Sequence, residues 1–207
     1  MPAMAKILEF KTNGLRAQLR EAQEQQIMVR LWRTELEHGS FCGYVGGVGS
    51  EFMLLWVVGD GITDDGIYVM RHRDITELES PERHHAFMAK ALALKGIAPR
   101  LPGDFPLDSI RDAVKAAGAM SQVIGVHVDT EEEEEVCYIG HLTSTDDDGF
   151  YLQELSPDAE WMRQASFFAW DEVSTLSIGD GYAQALLAVA GPAPALEPGD
   201  ADIGHMH

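Results

Sequence analysis

Residues 41–58 read FCGYVGGVGSEFMLLWVV, and this stretch decides the fold. Phe41–Val48 is apolar and carries glycines at 43, 46 and 47. A glycine inside a strand marks a sharp bend, a bulge or a close approach of another backbone. Gly49 and Ser50 turn the chain, and Phe52–Val58 follows as seven apolar residues in a row. A run of that length is a strand buried on both faces. Two adjoining strands, one rich in bending residues, predict the middle of a small curled β unit.

Upstream, Ile27, Val29 and Leu31 alternate with Met28, Arg30 and Trp32, a period of two that predicts a strand. Leu15–Gln26 is rich in helix formers, with Asn13 as a cap and Leu15 and Leu19 as an apolar stripe. His38-Gly39-Ser40 supplies a turn. Downstream, residues 59–66 (GDGITDDG) read as a loop, and Ile67–Arg71 and Asp74–Leu78 as two short closing strands. Glu82–Lys95 reads as a helix stopped by Gly96 and Pro99, Ala98–Pro106 as a proline-rich loop, and Leu107–Ala117 as a second helix. The strand pattern then returns over Gln122–Val128, Val136–Ser144, Phe150–Leu155, Phe167–Trp170 and Val173–Ile178. Asp129–Glu135 and Asp146–Gly149 are the acidic turns between them. Gly181–Ala190 is a short helix, and the proline- and glycine-rich tail beyond it reads as disordered.

The two strand-rich regions resemble each other. Cys42-Gly43-Tyr44-Val45-Gly46 has a counterpart in Cys137-Tyr138-Ile139-Gly140, and residues 67–78 (IYVMRHRDITEL) in 166–176 (SFFAWDEVSTL). A period of about 95 residues points to duplication. The expected class is mainly β with α: two tandem five-stranded barrels, residues 14–80 and 120–190, joined by a helical linker over 81–119 and followed by a tail over 191–207.

The first repeat resembles the Sm and Sm-like family, which includes the bacterial Hfq proteins. Phe41, Gly43, Val45, Val48, Phe52, Leu54 and Leu55 fall at the spacings of its first motif. Val69-Met70-Arg71-His72-Arg73-Asp74-Ile75 keeps the arginine and the aliphatic of its second, with His72 in the glycine position. The resemblance implies a short helix, then five strongly bent strands forming an open barrel, with assembly into rings through edge strands. It also implies RNA binding, but the family's Asp and Asn positions hold Gly49 and Met53, which cannot grip a base edge. In the second repeat Ala169 and Trp170 stand in the places of the Arg and Gly. Arg71 and His72 fall near the family's ligand-facing loop, and with Phe52 and Tyr68 they are the expected ligand-binding residues. The competing reading of Arg71 is a charge balancing Asp74.

The formal net charge is −19, from 34 acidic and 15 basic residues. Such an excess repels phosphate backbones and anionic lipid, so it disfavours RNA and membranes as partners. A protein partner or a homo-oligomer is expected instead; an acidic inhibitor or immunity-type protein covering a basic partner is a further alternative. Two cysteines with no CxxC spacing fit two inert thiols in a reducing cytoplasm. The N-terminal residues carry no signal-peptide pattern, and no window is apolar enough to span a membrane.

Residues 43–49 (GYVGGVG) lack the order, the lysine and the following helix of a phosphate loop. Asp146–Asp148 lack the glutamate at the twelfth position of a calcium loop, where Pro157 stands. His84 and His85 are adjacent, and neighbours on a helix diverge by roughly 100°. His127 and His141 are candidates to meet across a hairpin, and His205 and His207 lie in the tail. No nucleophile elbow is present. The reading is therefore a non-catalytic binding or assembly protein with no cofactor and no metal. Its candidate anchors are Trp32, Tyr44, Phe52, Trp56, Trp161 and Trp170.

Overall fold

The computed structural model describes residues 3–37, 39–81, 83–128 and 136–196. The acidic turn over 129–135 and tail residues 197–207, His205 and His207 included, lie outside the described residues, as does His38 of the expected turn. The chain divides into two compact units, Met1–Asp108 and Ser109–His207. The first contains α1 (Ala3–Gln25), β1 (Met28–Trp32), β2 (Phe41–Val48), β3 (Phe52–Gly59), β4 (Thr63–Arg71), a 3₁₀ turn at His72–Asp74, β5 (Glu77–Glu79) and α2 (His85–Leu94). The second contains α3 (Ile110–Met120), β6 (Ile124–Val128), β7 (Val136–Thr145), β8 (Gly149–Leu155), β9 (Trp161–Ala169), β10 (Val173–Ile178) and α4 (Gly181–Ala190).

The expectation of two separate five-stranded barrels is corrected. Among the described residues ten strands form one sheet, in the order β5-β1-β2-β3-β4-β10-β6-β7-β8-β9. Alternation and glycine placement specify the faces and bends of a strand. They do not specify which neighbour its outer row of N–H and C=O groups pairs with. Within each unit the order repeats: the last strand, then the first to the fourth, with a helix ahead of the first.

In the first unit α1 lays Leu19 and Ala22 on a core made by Val29, Leu31, Val45, Met53, Leu55, Val57 and Met70, with Leu15 packed against it. Positions 15, 19 and 22 fall on one helical face. The helix ends as Gln26 turns to φ +52° and the Ile27 N–H donates to the carbonyl of Ala22, a closure glycine usually makes. Residues 52–58 are all buried, as the unbroken apolar run predicts. The odd positions 53–57 meet α1's core, and Leu54 faces Gly46 and Leu101 from the loop beyond α2. In the second unit α4 sets Ala183 and Leu186 on Val123, Ile139 and Leu155. Asp180 caps it, its carboxylate accepting from the Ala183 N–H at 2.8 Å and from the Ser177 hydroxyl at 3.0 Å.

The two units share a backbone device. On β2 a methyl group at Gly43 would collide with the carbonyl oxygen of Trp56 on β3; on β7 one at Gly140 would collide with that of Gln153 on β8. A register shift follows at the same distance in each, between Val45 and Gly47 and between Leu142 and Ser144. The structural equivalent of Gly140 is therefore Gly43, whereas the sequence match sets Gly140 against Gly46. Other expectations shift: α1 starts at Ala3, so Asn13 lies within the helix and does not cap it, and α3 runs Ile110–Met120 behind Ser109, later than the expected Leu107–Ala117. The loop over 59–66 shortens to Asp60–Ile62, and β9 begins at Trp161, well before Phe167.

Candidate functional site

Antiparallel pairing of β3 with β4 sets Phe52 opposite Arg71 and Leu55 opposite Tyr68. Three of the expected ligand residues, Phe52, Arg71 and His72, therefore gather where β3 starts and β4 ends. All three are buried. Tyr68 lies three residues back, its ring 5.3 Å from that of Phe41 and packed on the α1 core. Arg71 Nε donates to Asp74 Oδ2 at 2.5 Å, so the guanidinium is engaged within its own turn. Burial raises the Asp74 carboxyl above its usual range, against the opposing pull of Arg71.

His72 is 3% exposed, and neither Nδ1 nor Nε2 has a hydrogen-bond partner among the described residues. Its backbone N–H donates to the Glu51 carbonyl at 2.9 Å, which ties this 3₁₀ turn to the β2–β3 turn. Loss of water, with the positive charge of Arg16 next in size, lowers its pKa to about 4. The backbone at Phe52 and Ser50 pulls weakly the other way, but neither ring nitrogen reaches it in hydrogen-bond geometry. The folded protein holds His72 neutral at pH values where an unfolded chain protonates it. Stability is therefore complete above pH 6.5, falls between pH 6.5 and about 4 as unfolding takes up a proton, and levels off below. The His72 contribution to this fall is about 3 kcal/mol at most. His72→Leu is expected to remove that part of the pH dependence and to hold or raise stability at pH 7, because no buried polar ring remains. Denaturant unfolding of both proteins at pH 7 and pH 4.5 measures this, and an equal acid loss in the variant contradicts it.

A cavity of about 300 Å³ lies beside this cluster, lined by Gln23, Gly46, Gly47, Leu54 and residues 102–108. None of Phe52, Tyr68, Arg71 and His72 lines it. The loop over 102–108 forms its wall. Leu101 and Leu107 press on Gly46 and Gly47, where side chains would clash. The Phe52 N–H donates to the Leu107 carbonyl at 3.0 Å, and the Ser50 N–H to Asp108 Oδ1 at 2.6 Å. Hydrogen bonding from Ser50, its side chain first and this backbone N–H second, holds the exposed Asp108 carboxyl below its usual range. Gln23 Nε2 closes the other side on the Gly46 carbonyl at 3.1 Å. Sequence reading missed Gln23, Leu101, Leu107 and Asp108. The available signal was the proline-rich loop set against a strand with glycines on one side.

In the second unit, Trp170 stacks on Arg111 at 5.4 Å and donates through Nε1 to the Asp147 carbonyl at 3.2 Å. Arg111 donates to the carbonyls of Asp146 and Asp147. The acidic β7–β8 turn is thus a cation-clamped hairpin. His127 pairs in register with Cys137, and His141 with Gln153, so the two histidines are not opposite one another.

The fold is that of a mixed α/β protein with a ten-stranded open sheet. Among the described residues no helix is long and apolar enough to cross a membrane. No protein-family model matches the chain, and no curated protein matches it by sequence.

Proposed function

We propose that the protein is a non-catalytic assembly protein of Sm-like ancestry that associates with further copies of itself through the terminal strand of its sheet. One observation carries this reading. β9 ends the strand order with β8 as its neighbour, and it is nine residues long. Its sequence WMRQASFFA has no proline and one charged residue, Arg163. Long edges of that composition lack the usual protection against pairing. The helix-then-five-strands layout in each unit supports the kinship, as does the bent-strand glycine at the same register in both. Arg71, buried against Asp74, is not presented to a base, which weighs against RNA as the ligand.

Multi-angle light scattering is expected to give a mass above that of one chain, rising with concentration. Gln164→Pro lies on the exposed part of β9, opposite a register irregularity where proline is tolerated. It is expected to shift the protein to monomer with an unchanged circular dichroism spectrum. A monomer at every concentration, or an assembly indifferent to Gln164→Pro and to Gln164→Lys, rejects the reading.

A further inference from the structure

The charge of this chain is unevenly placed. Residues 109–207 hold 19 acidic and 3 basic residues, whereas residues 1–108 hold 15 and 12. Of the three cations in the second unit, Arg111 is committed to the β7–β8 turn and Trp170. The same unit carries an apolar cavity of about 300 Å³ between β7, β8, β9 and α4. Cys137, Ile139, Leu155, Met162, Tyr182 and Leu186 line it. Met162 is 50% exposed and Tyr182 58%, so the mouth is apolar and open to solvent. Val189, two helical turns from Tyr182 and on the same face of α4, extends the apolar surface. Glu154 lines the cavity, and exposed Asp158 and Glu160 stand on the turn that follows its Ser156 and Pro157.

We propose that this cavity receives an apolar side chain from a basic segment of a partner protein, whose lysines or arginines meet the acidic surround. The two components are complementary in role. An apolar side chain filling a desolvated pocket supplies specific affinity. The acidic field steers a cationic segment to it and repels anionic ones. An acidic occupant would face the like-charge repulsion of this unit. The inference does not rest on association through β9: peptide binding reads the cavity, to which β9 contributes Met162, whereas light scattering reads the strand edge.

The test uses the full chain and three fluorescein-labelled 14-residue probes: an amphipathic lysine–leucine peptide, a lysine–serine peptide and a glutamate–leucine peptide. Anisotropy is expected to show saturable binding of the lysine–leucine probe alone, weakening as salt rises. Tyr182→Ser and Met162→Ser change exposed residues without changing charge, and each is expected to weaken it by about tenfold. Exposed Cys137 is expected to react more slowly with a thiol reagent in the bound state, with buried Cys42 as the unreactive control. Equal binding of the lysine–serine probe reduces the site to charge alone and overturns the proposal. So do equal binding of the glutamate–leucine probe, indifference to both variants, or an unprotected Cys137. Concentration-dependent protection of Cys137 without any peptide would show a second copy as occupant and would likewise overturn it.

Discussion

Gly43→Ala and Gly140→Ala are each expected to lower the stability of the fold by about 3 kcal/mol. Both glycines sit where a neighbouring strand's carbonyl oxygen occupies the space of a β-carbon, that of Trp56 in one unit and Gln153 in the other. A backbone oxygen cannot rotate aside as a flexible side chain does, so the added methyl must push two strands apart or break their register. Strands β2 and β3 sit over the α1 core, and β7 and β8 over the α4 core, so a displaced ladder also opens packed apolar surface. Gly14 is the control. It lies in α1, and a methyl group added there would meet nothing within 4 Å. Gly14→Ala is expected to stabilise by about 0.5–1 kcal/mol through helix propensity. Thermal unfolding followed by circular dichroism reads all three. Strand variants that melt within a degree of the parent would show that the ladder absorbs the methyl.

Asp74→Ala is expected to cost a similar amount, about 3 kcal/mol, for an electrostatic reason. Side chains of Arg71 and Asp74 are 8% and 11% exposed. Removing one member of a buried pair leaves the other charge facing a poor solvent. Asp74→Asn keeps an oxygen acceptor for Nε and is expected to cost about half as much. The double replacement Arg71→Met with Asp74→Leu is expected to recover most of the loss, because desolvation of this pair offsets much of its attraction. Burial as the leading cause of the raised Asp74 pKa points the same way. That raised pKa makes the folded state take up a proton more readily than the unfolded chain, so Asp74 alone would favour folding as pH falls. It opposes the His72 effect, and comparison of His72→Leu with its parent separates the two. Urea unfolding at pH 7 measures the series; a double variant no better than Asp74→Ala alone would contradict the account.

Much of the strand inventory was legible in the sequence, because burial leaves a periodic trace. Val173–Ile178 and Gly181–Ala190 have the boundaries expected of them. Residues 52–58 are buried throughout because an unbroken apolar run has no polar face to offer water. The first half of β9 was not legible: Arg163 and Gln164 are consecutive polar residues, which an edge strand accommodates and an alternation rule rejects. The short β5, Glu77–Glu79, overlaps the expected strand Asp74–Leu78 but starts later, because His72–Asp74 form a 3₁₀ turn. Of the site residues, Phe52, Arg71 and His72 come together through their positions on paired strands. Their burial, and the absence of all four from the cavity lining, depended on a loop whose docking leaves no periodic signal.

By itself the sequence determined most of the helices and strands, the glycines that let strands cross closely, and the acidic excess. These are properties of single segments, set by side-chain volume, alternation and charge. Tertiary structure alone decided that ten strands share one sheet, that Gly43 rather than Gly46 matches Gly140, and that Leu101 and Leu107 cover the β2 glycines. Each of these depends on which backbone groups and surfaces meet across long stretches of chain. The N–H and C=O groups that make a ladder are the same at almost every residue, so they carry no mark of their partner in the sequence.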